Sequence, residues 1–426
     1  MKRVLTSEVP KKDGTKVKLA GWVREKRVLG KLSFVVLRDR EGEIQITLKR
    51  GEVEEKLLEM VKELPKESVI ELEGKVKVNK EAPRGLEVIP DKIEILSKAE
   101  APLPIDFSGK VNTGIDKRLD WRFMDLRNPK ISSIFKVQSE ICRYFREFFR
   151  KEGFTEFWPP EIIESAPEGG AELFEVNYFE RKAYLAQSPE LYKELCTGTN
   201  LERVFSIIPV WRAEKHDTYK HLNEVRQMDI EVAFADQFSV MEYLEKAVKY
   251  IVKNLVKSCP EVRELNPEIK VPEAKRISYR EMIETLNENG FKMKYGEDLS
   301  TEGEKKLAEI FGKNTLIFIH SWPKSLKPFY IMPDGEESEG FDADLGGLEI
   351  ASGGQRIHRP EILEKQLKEK GLDPKEFKFF INSLKFGIPP HAGWSIGLER
   401  LTMYICNLKN IREACLYPRD RERLTP

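Results

Sequence analysis

The stretch Pro389-Pro390-His391-Ala392-Gly393-Trp394-Ser395-Ile396-Gly397-Leu398-Glu399-Arg400 runs straight into an apolar helical segment at 401–408. Its glycines let a backbone approach a ligand closely, and the arginine presents a flat, permanently charged guanidinium. Such a plane covers a purine ring on one face while its charge faces phosphate. Alone, G-x-x-R fits equally well a glycine turn before a helix with an exposed arginine. Its meaning depends on its companions.

Two companions lie upstream, W-R-A-E at 211–214 and H-L-N-E-V-R-Q-M-D-I-E-V-A-F at 221–234. With G-L-E-R at 397–400 they resemble motifs 2 and 3 of the class II aminoacyl-tRNA synthetases. A helical pattern over 135–151, followed by G-F-T-E-F-W-P-P at 153–160, looks like motif 1, a long helix leading to a strand that ends in proline. Within the class the chain resembles the aspartyl-tRNA synthetases of the archaeal and eukaryotic cytosolic branch (subclass IIb). The resemblance extends over essentially all 426 residues, including the terminal P-R-D-R-E-R-L-T-P. It implies ATP-dependent activation of L-aspartate to aspartyl-adenylate and transfer to the 3′ end of tRNA-Asp, with tRNA-Asn as a further candidate acceptor. ATP and Mg2+ are the implied cofactors, and a homodimer the implied assembly.

Length and composition are compatible with that reading. A chain of 426 residues can hold two or three domains with a sizeable core. Lys+Arg and Asp+Glu cancel at 72 each, so any RNA contact must come from local patches rather than from a basic excess. The five cysteines, Cys142, Cys196, Cys259, Cys406 and Cys415, form no C-x-x-C pair, which fits a reducing cytosol. No apolar run follows Met1 and none approaches about 18 residues, so secretion and membrane spanning are not expected and a cytoplasmic location is.

The predicted architecture is α+β in two parts joined by a linker. Residues 1–98 read as short alternating strands at 17–23, 32–37, 43–48, 69–78 and 86–96, with a helical piece at 52–63. Five strands and one helix suggest an OB-fold barrel, here an anticodon-binding domain. A proline-containing stretch at 101–104 opens a hinge over 99–130. Residues 131–426 form the expected catalytic domain, with strands at 203–207, 229–234, 315–320, 329–332 and 348–351 and helices at 240–258 and 359–370. Strands and helices without regular alternation argue against a doubly wound sheet. The resemblance implies an antiparallel sheet flanked by helices.

Activating a carboxylate with ATP brings two anions together, so the site needs a bidentate cation, a purine platform, a divalent metal and a selective pocket. By resemblance, Arg212 grips the α-phosphate and the amino-acid carboxylate, Glu214 faces the adenine amino group, and His221 contacts the γ-phosphate. Gly397 and Arg400 complete the nucleotide site. Asp342 and Glu349 match the magnesium carboxylates, with Asp344 a near competitor; oxygen donors suit that ion. Glu349 is embedded in an apolar run, where an unpaired charge is costly. The five histidines show no metal spacing, and zinc is not implied.

Lys193 and Arg356 match the pair that holds the β-carboxylate of aspartate. A carboxylate accepts from both, whereas an asparagine amide turns its N–H donors against theirs. Ser188 and Asp229 match residues near the substrate ammonium, Ser352 lies in the same aspartate-binding group, and Glu168, in a glycine-rich stretch resembling the family's mobile loop, is expected to close over the substrate. Two departures stand out. Glu190 occupies a position where aspartyl enzymes usually carry glutamine, and Val225 one where many relatives place phenylalanine under the adenine.

For the RNA-reading end, stacking on aromatics and hydrogen bonds to base edges are required. Phe34 matches the aromatic under the central anticodon base, Gln45 the amide that reads it, Glu87 a carboxylate near the first anticodon base, and Arg27 an arginine beside them. Positions 24 and 83 are where archaeal relatives differ in stringency. Pro83 follows the relaxed pattern, and Arg24 follows neither. Two other functions remain in view: an asparaginyl-tRNA synthetase, opposed by Lys193 and Asp229, and a non-catalytic synthetase-derived RNA-binding protein, opposed by Arg212, Glu349 and Arg400.

Overall fold

The computed structural model describes residues 1–109, 111–164, 173–215 and 218–426. Glu168 lies outside them. The chain divides into two compact units, Met1–Asp106 and Phe107–Pro426.

The first unit is a closed five-stranded barrel in the order Lys16–Leu29, Leu32–Asp39, Gly42–Lys49, Leu86–Ser97, Val69–Val78. Period-two alternation sends Val17, Leu19, Val35, Leu37, Ile44, Ile46, Ile70 and Leu72 inward. The helix Glu55–Glu63 adds Leu57, Leu58 and Val61 to that core. Closure forces close strand crossings: a Cβ on Gly74 would stand 2.4 Å from the Ile89 carbonyl oxygen. The buried fork of Arg38 onto Glu67 (3.2 and 2.8 Å) ties the second strand to the loop before Val69.

The second unit is built on an eight-stranded sheet in the order Glu273–Ser278, Thr315–His320, Gly340–Leu345, Glu349–Gln355, His391–Gly397, Glu224–Ala233, Arg203–Trp211, Thr155–Glu156. It is antiparallel except at the two edge pairs, which are parallel. One face carries Met228, Ile230, Val232, Ala392, Trp394 and Ile396 into a core completed by the helices Pro129–Lys151 and Gln237–Ser258. Phe145 and Phe149 of the first helix meet Phe205 and Trp394 of the sheet at ring distances of 5.6–6.2 Å. Because side chains alternate, the opposite face of the same strands carries Gln227, Asp229, Glu231, Ser395 and Ser352. That polar face becomes the floor of the site.

Two local readings change. Residues 329–332 form no strand: Phe329, Tyr330 and Ile331 sink into a separate apolar cluster, with one isolated bridge from Ile331 to Arg356. From Phe107 onward the stretch read as a hinge belongs with the second unit and carries the short helices Ile115–Asp120 and Arg122–Asp125. Buried Arg122 anchors it, bonding Asp125 (2.7 Å) and donating to the carbonyls of Cys415 and Leu416 (2.8 and 3.0 Å). Among the described residues no helix is long and apolar enough to cross a membrane.

Candidate active site

The polar face of the sheet opens into a cavity of about 380 Å³. Pairing in register puts Asp229 beside Ser395, Ser395 beside Ser352, and Ser352 beside Asp342 in one row across four strands. Ser188, Glu190, Arg212, Glu214, His221, Val225, Glu349, Ser352, Arg356, Gly397 and Arg400 all border the cavity. Residues spread over more than two hundred positions of sequence thus converge at one place.

At one end stands a buried ionic cluster. Helix Glu190–Thr197 brings in Glu190 and Lys193 one turn apart. The Lys193 ammonium meets Glu190 (2.9 Å), Asp229 (3.0 Å) and Glu231 (3.6 Å). Arg356 lays its fork on Glu231 (3.1 and 3.3 Å) and reaches Glu190 (2.9 Å). Burial works against both cations, but the surrounding carboxylates outweigh it and raise both above their ordinary values. Burial likewise opposes ionisation of Glu190, yet Arg356 and Lys193 hold it below the usual carboxylate range. Asp229 is pushed up to about 6, chiefly by burial and further by Glu190 and Glu231, against the pull of Lys193.

Glu231 is the functional residue that sequence reading passed over. It lies two positions past Asp229 on a strand, hence on the same face, and that periodicity was the signal available. Its carboxylate fills the space left by Gly393 on the neighbouring strand, where a Cβ would stand 2.1 Å from Oε2. Behind the cluster His391 donates Nδ1–H to the Pro389 carbonyl (2.8 Å) and pairs through Nε2 with Glu194 (3.1 Å). Burial drives Glu194 up to about 7, while that carboxylate raises His391 despite burial.

The other end is cationic. Arg212 follows the strand Arg203–Trp211, and Asn223 pins the turn there by donating to the carbonyls of Arg212 (2.7 Å) and Glu214 (3.1 Å). Arg400, in the first turn of helix Leu398–Cys406, donates to the Glu349 carbonyl (2.9 Å) and stands 3.6 Å from its carboxylate. His221 bonds Thr218 (2.6 Å); burial first, then Arg400, Lys220 and Arg212, push it down to about 4. A neutral imidazole thus stands near three cations, of which Lys220 is paired with Glu304 (2.8 Å) and Arg400 with Glu349 (3.6 Å). Gly397 caps the helix in ordinary extended backbone, without turn geometry.

The acidic strands test the fit of a divalent cation. Glu349 borders the cavity, while Asp342 pairs with Lys327 (2.6 Å). Asp344 lies opposite Glu349 and has a buried carboxylate oxygen with no hydrogen-bond partner. Burial raises Asp344 well above its ordinary value, with Glu304, Glu349 and Asp342 adding to it. No three acidic, histidine or cysteine side chains converge as a metal cage among the described residues. Magnesium is held by one or two carboxylates plus phosphate oxygens and water, so this donor set fits it.

The barrel carries its own surface. Arg27, Phe34 and Thr47 pair in one row across three strands, and Gln45 lies beside Glu87. Thr47 donates to buried Glu87 (2.6 Å), as does the Gln45 amide (3.2 Å). Half-buried Phe34 and exposed Arg27 thus flank a fixed carboxylate and amide. Arg24 pairs with Glu43, whose carbonyl also accepts from Arg84 (3.2 Å), the neighbour of exposed Pro83.

A family profile described as class II tRNA synthetases (D, K and N) matches residues 114–421, and one described as an OB-fold nucleic acid binding domain matches residues 17–96. Over the full length of both proteins the chain is 46% identical to an aspartate–tRNA(Asp/Asn) ligase from Methanopyrus kandleri. It is also 46% identical to an aspartate–tRNA(Asp) ligase from Pyrococcus horikoshii, over 97% of each chain. Among solved structures, the asparaginyl-tRNA synthetase of Pyrococcus horikoshii with asparaginyl-adenylate is 34% identical, covers 100% of both chains and superposes with a TM-score of 0.95. With its fold, its cavity and both profiles in agreement, the chain belongs to the class II aminoacyl-tRNA synthetases of the D, K and N group.

Proposed function

We propose that the protein is an aspartate–tRNA ligase that activates L-aspartate with ATP and transfers it to tRNA-Asp. The observation that carries this reading is Arg356, joined through Glu190 to the buried Lys193 behind it, at one end of a cavity whose other end holds Arg212, His221 and Arg400. Two adjacent cations suit a side-chain carboxylate, and an asparagine amide would set donors against donors. The 46% identity to ligases named for aspartate supports the same choice over the asparaginyl alternative.

In the first step an α-carboxylate oxygen of aspartate attacks the α-phosphorus of ATP and pyrophosphate leaves. Arg212 neutralises the incoming carboxylate and the crowded phosphate, Arg400 covers the adenine, and Glu214 accepts from its amino group. Val225 offers only a small apolar contact to the other face of the base. His221 donates to the γ-phosphate. Asp342 and Glu349 would hold magnesium, which supplies charge neutralisation to the phosphates. In the second step the terminal adenosine hydroxyl of the tRNA attacks the activated carbonyl and AMP leaves. Ser188 and Ser352 line the aspartate end, and Asp229 is buried beneath it. Arg27, Phe34, Gln45 and Glu87 read the anticodon, with Arg24 and Pro83 at its edge setting stringency. The working form is a cytoplasmic homodimer, checked by light scattering: twice the 49.4 kDa chain mass is expected, and a single-chain mass contradicts it. The activity itself is tested by aspartate-dependent ATP–pyrophosphate exchange and by charging of purified tRNA-Asp beside tRNA-Asn.

A further inference from the structure

Two cations in the cluster are surrounded by three carboxylates, those of Glu190, Asp229 and Glu231. Asp229 and Glu231 stand on the sheet behind Lys193 and Arg356, and neither borders the cavity. Glu190 does. One of its oxygens lies 2.9 Å from the Lys193 ammonium and the other 2.9 Å from the Arg356 guanidinium. A carboxylate bridging both cations from the cavity side occupies the place that a substrate side-chain carboxylate would need.

Adding a fourth carboxylate would leave a buried cluster with a surplus of two negative charges, and burial makes such a surplus expensive. One resident must therefore give way. Asp229 is fixed in the centre of a sheet, and Glu231 is locked between Gly393 and the Arg356 fork. Glu190 sits at the first residue of its helix, its backbone N–H held by the Ser188 hydroxyl (3.0 Å), with open space in front of its side chain.

We infer that Glu190 is a built-in stand-in for the substrate carboxylate: it occupies the Lys193–Arg356 pair in the empty enzyme and swings off it when aspartate enters, then faces the substrate ammonium. The inference rests on reading this pocket as the aspartate site. It makes Glu190 a specificity-determining residue that keeps the two cations satisfied between turnovers and raises the concentration of dicarboxylate needed to occupy them.

Succinate, a dicarboxylate without an ammonium, separates the two roles of Glu190. In Glu190→Gln the competition for the cations is relieved and no ammonium contact is at stake, so succinate is expected to bind about tenfold more tightly than to the unmodified enzyme. Aspartate, which also loses an ammonium partner, should gain less. Binding is read by calorimetry and by inhibition of aspartate-dependent exchange. Equal or weaker succinate binding to the variant overturns the proposal. Glu190→Asp, too short to bridge both cations, provides a second variant and should fall between the two; a Glu190→Asp enzyme that binds succinate no better than the unmodified one overturns it as well. Failure of the unmodified enzyme to activate aspartate would instead remove the functional reading, and the calorimetric comparison would still decide the role of Glu190.

Discussion

Glu231 and Gly393 face each other across adjacent strands, and the carboxylate of the first occupies the volume that a side chain on the second would need. The missing methyl group lets Glu231 reach under Arg356 and hold its guanidinium toward the cavity. Gly393→Ala should displace a buried, doubly bonded carboxylate and cost about 3–5 kcal/mol of stability, the range for breaking a buried ion pair. Urea denaturation checks this; a loss below about 1 kcal/mol would mean that the strands separate easily here.

Arg356→Lys keeps the charge but loses the fork that spans Glu231 and Glu190. Truncating one partner of a buried, hydrogen-bonded charge pair costs about 2–5 kcal/mol. Steady-state exchange assays should therefore show KM for aspartate rising by a factor of about 30 or more, with KM for ATP little changed. Equal losses for both substrates would place Arg356 elsewhere in the mechanism.

The low pKa of His221, about 4, comes from burial and from the cations of Arg400, Lys220 and Arg212. In the unfolded chain the same imidazole titrates near 6.5, so the unfolded state binds more protons between those values and stability falls as pH drops through that window. Replacing His221 with glutamine should flatten this part of the pH–stability curve. A bound triphosphate offsets the cations, so the imidazole resonance followed by NMR should titrate at higher pH with ATP than without it. An unchanged titration would contradict the phosphate contact.

The sheet and the barrel were legible because their alternation is regular. Val17 to Val23 alternates buried and half-buried positions, Asp229 to Val232 alternates polar and apolar residues, and the helix over 135–151 places its aromatics at helical spacing. Residues 329–332 misled for a physical reason: an apolar run reads as a strand, but Phe329, Tyr330 and Ile331 are buried by neighbouring helices rather than by pairing. Motif resemblance named the site residues that border the cavity, such as Arg212 and Arg400. It did not reach Glu231, Glu194 or His391, which act through other side chains and become visible only when strands and helices are assembled. The glycine at 397 invited a turn, whereas it ends a central strand in extended backbone; close approach is the requirement at Gly393.

At the barrel, Phe34 stands between Arg27 and Thr47 in the row that flanks Gln45 and Glu87. Base stacking on an aromatic contributes about 1–3 kcal/mol. Phe34→Ala should raise KM for tRNA-Asp by a factor of about 5–150 in charging assays and leave aspartate-dependent ATP–pyrophosphate exchange at its original rate. A parallel loss of exchange would show that the substitution damages more than RNA contact.

The central claim is that this cavity joins aspartate to ATP. Its most direct test is ATP–pyrophosphate exchange driven by aspartate and, separately, by asparagine, in the unmodified protein and in Arg212→Ala. The account predicts exchange with aspartate, little with asparagine, and none with either amino acid once Arg212 is removed. Exchange driven by asparagine in preference to aspartate, or near-normal exchange without Arg212, would contradict it.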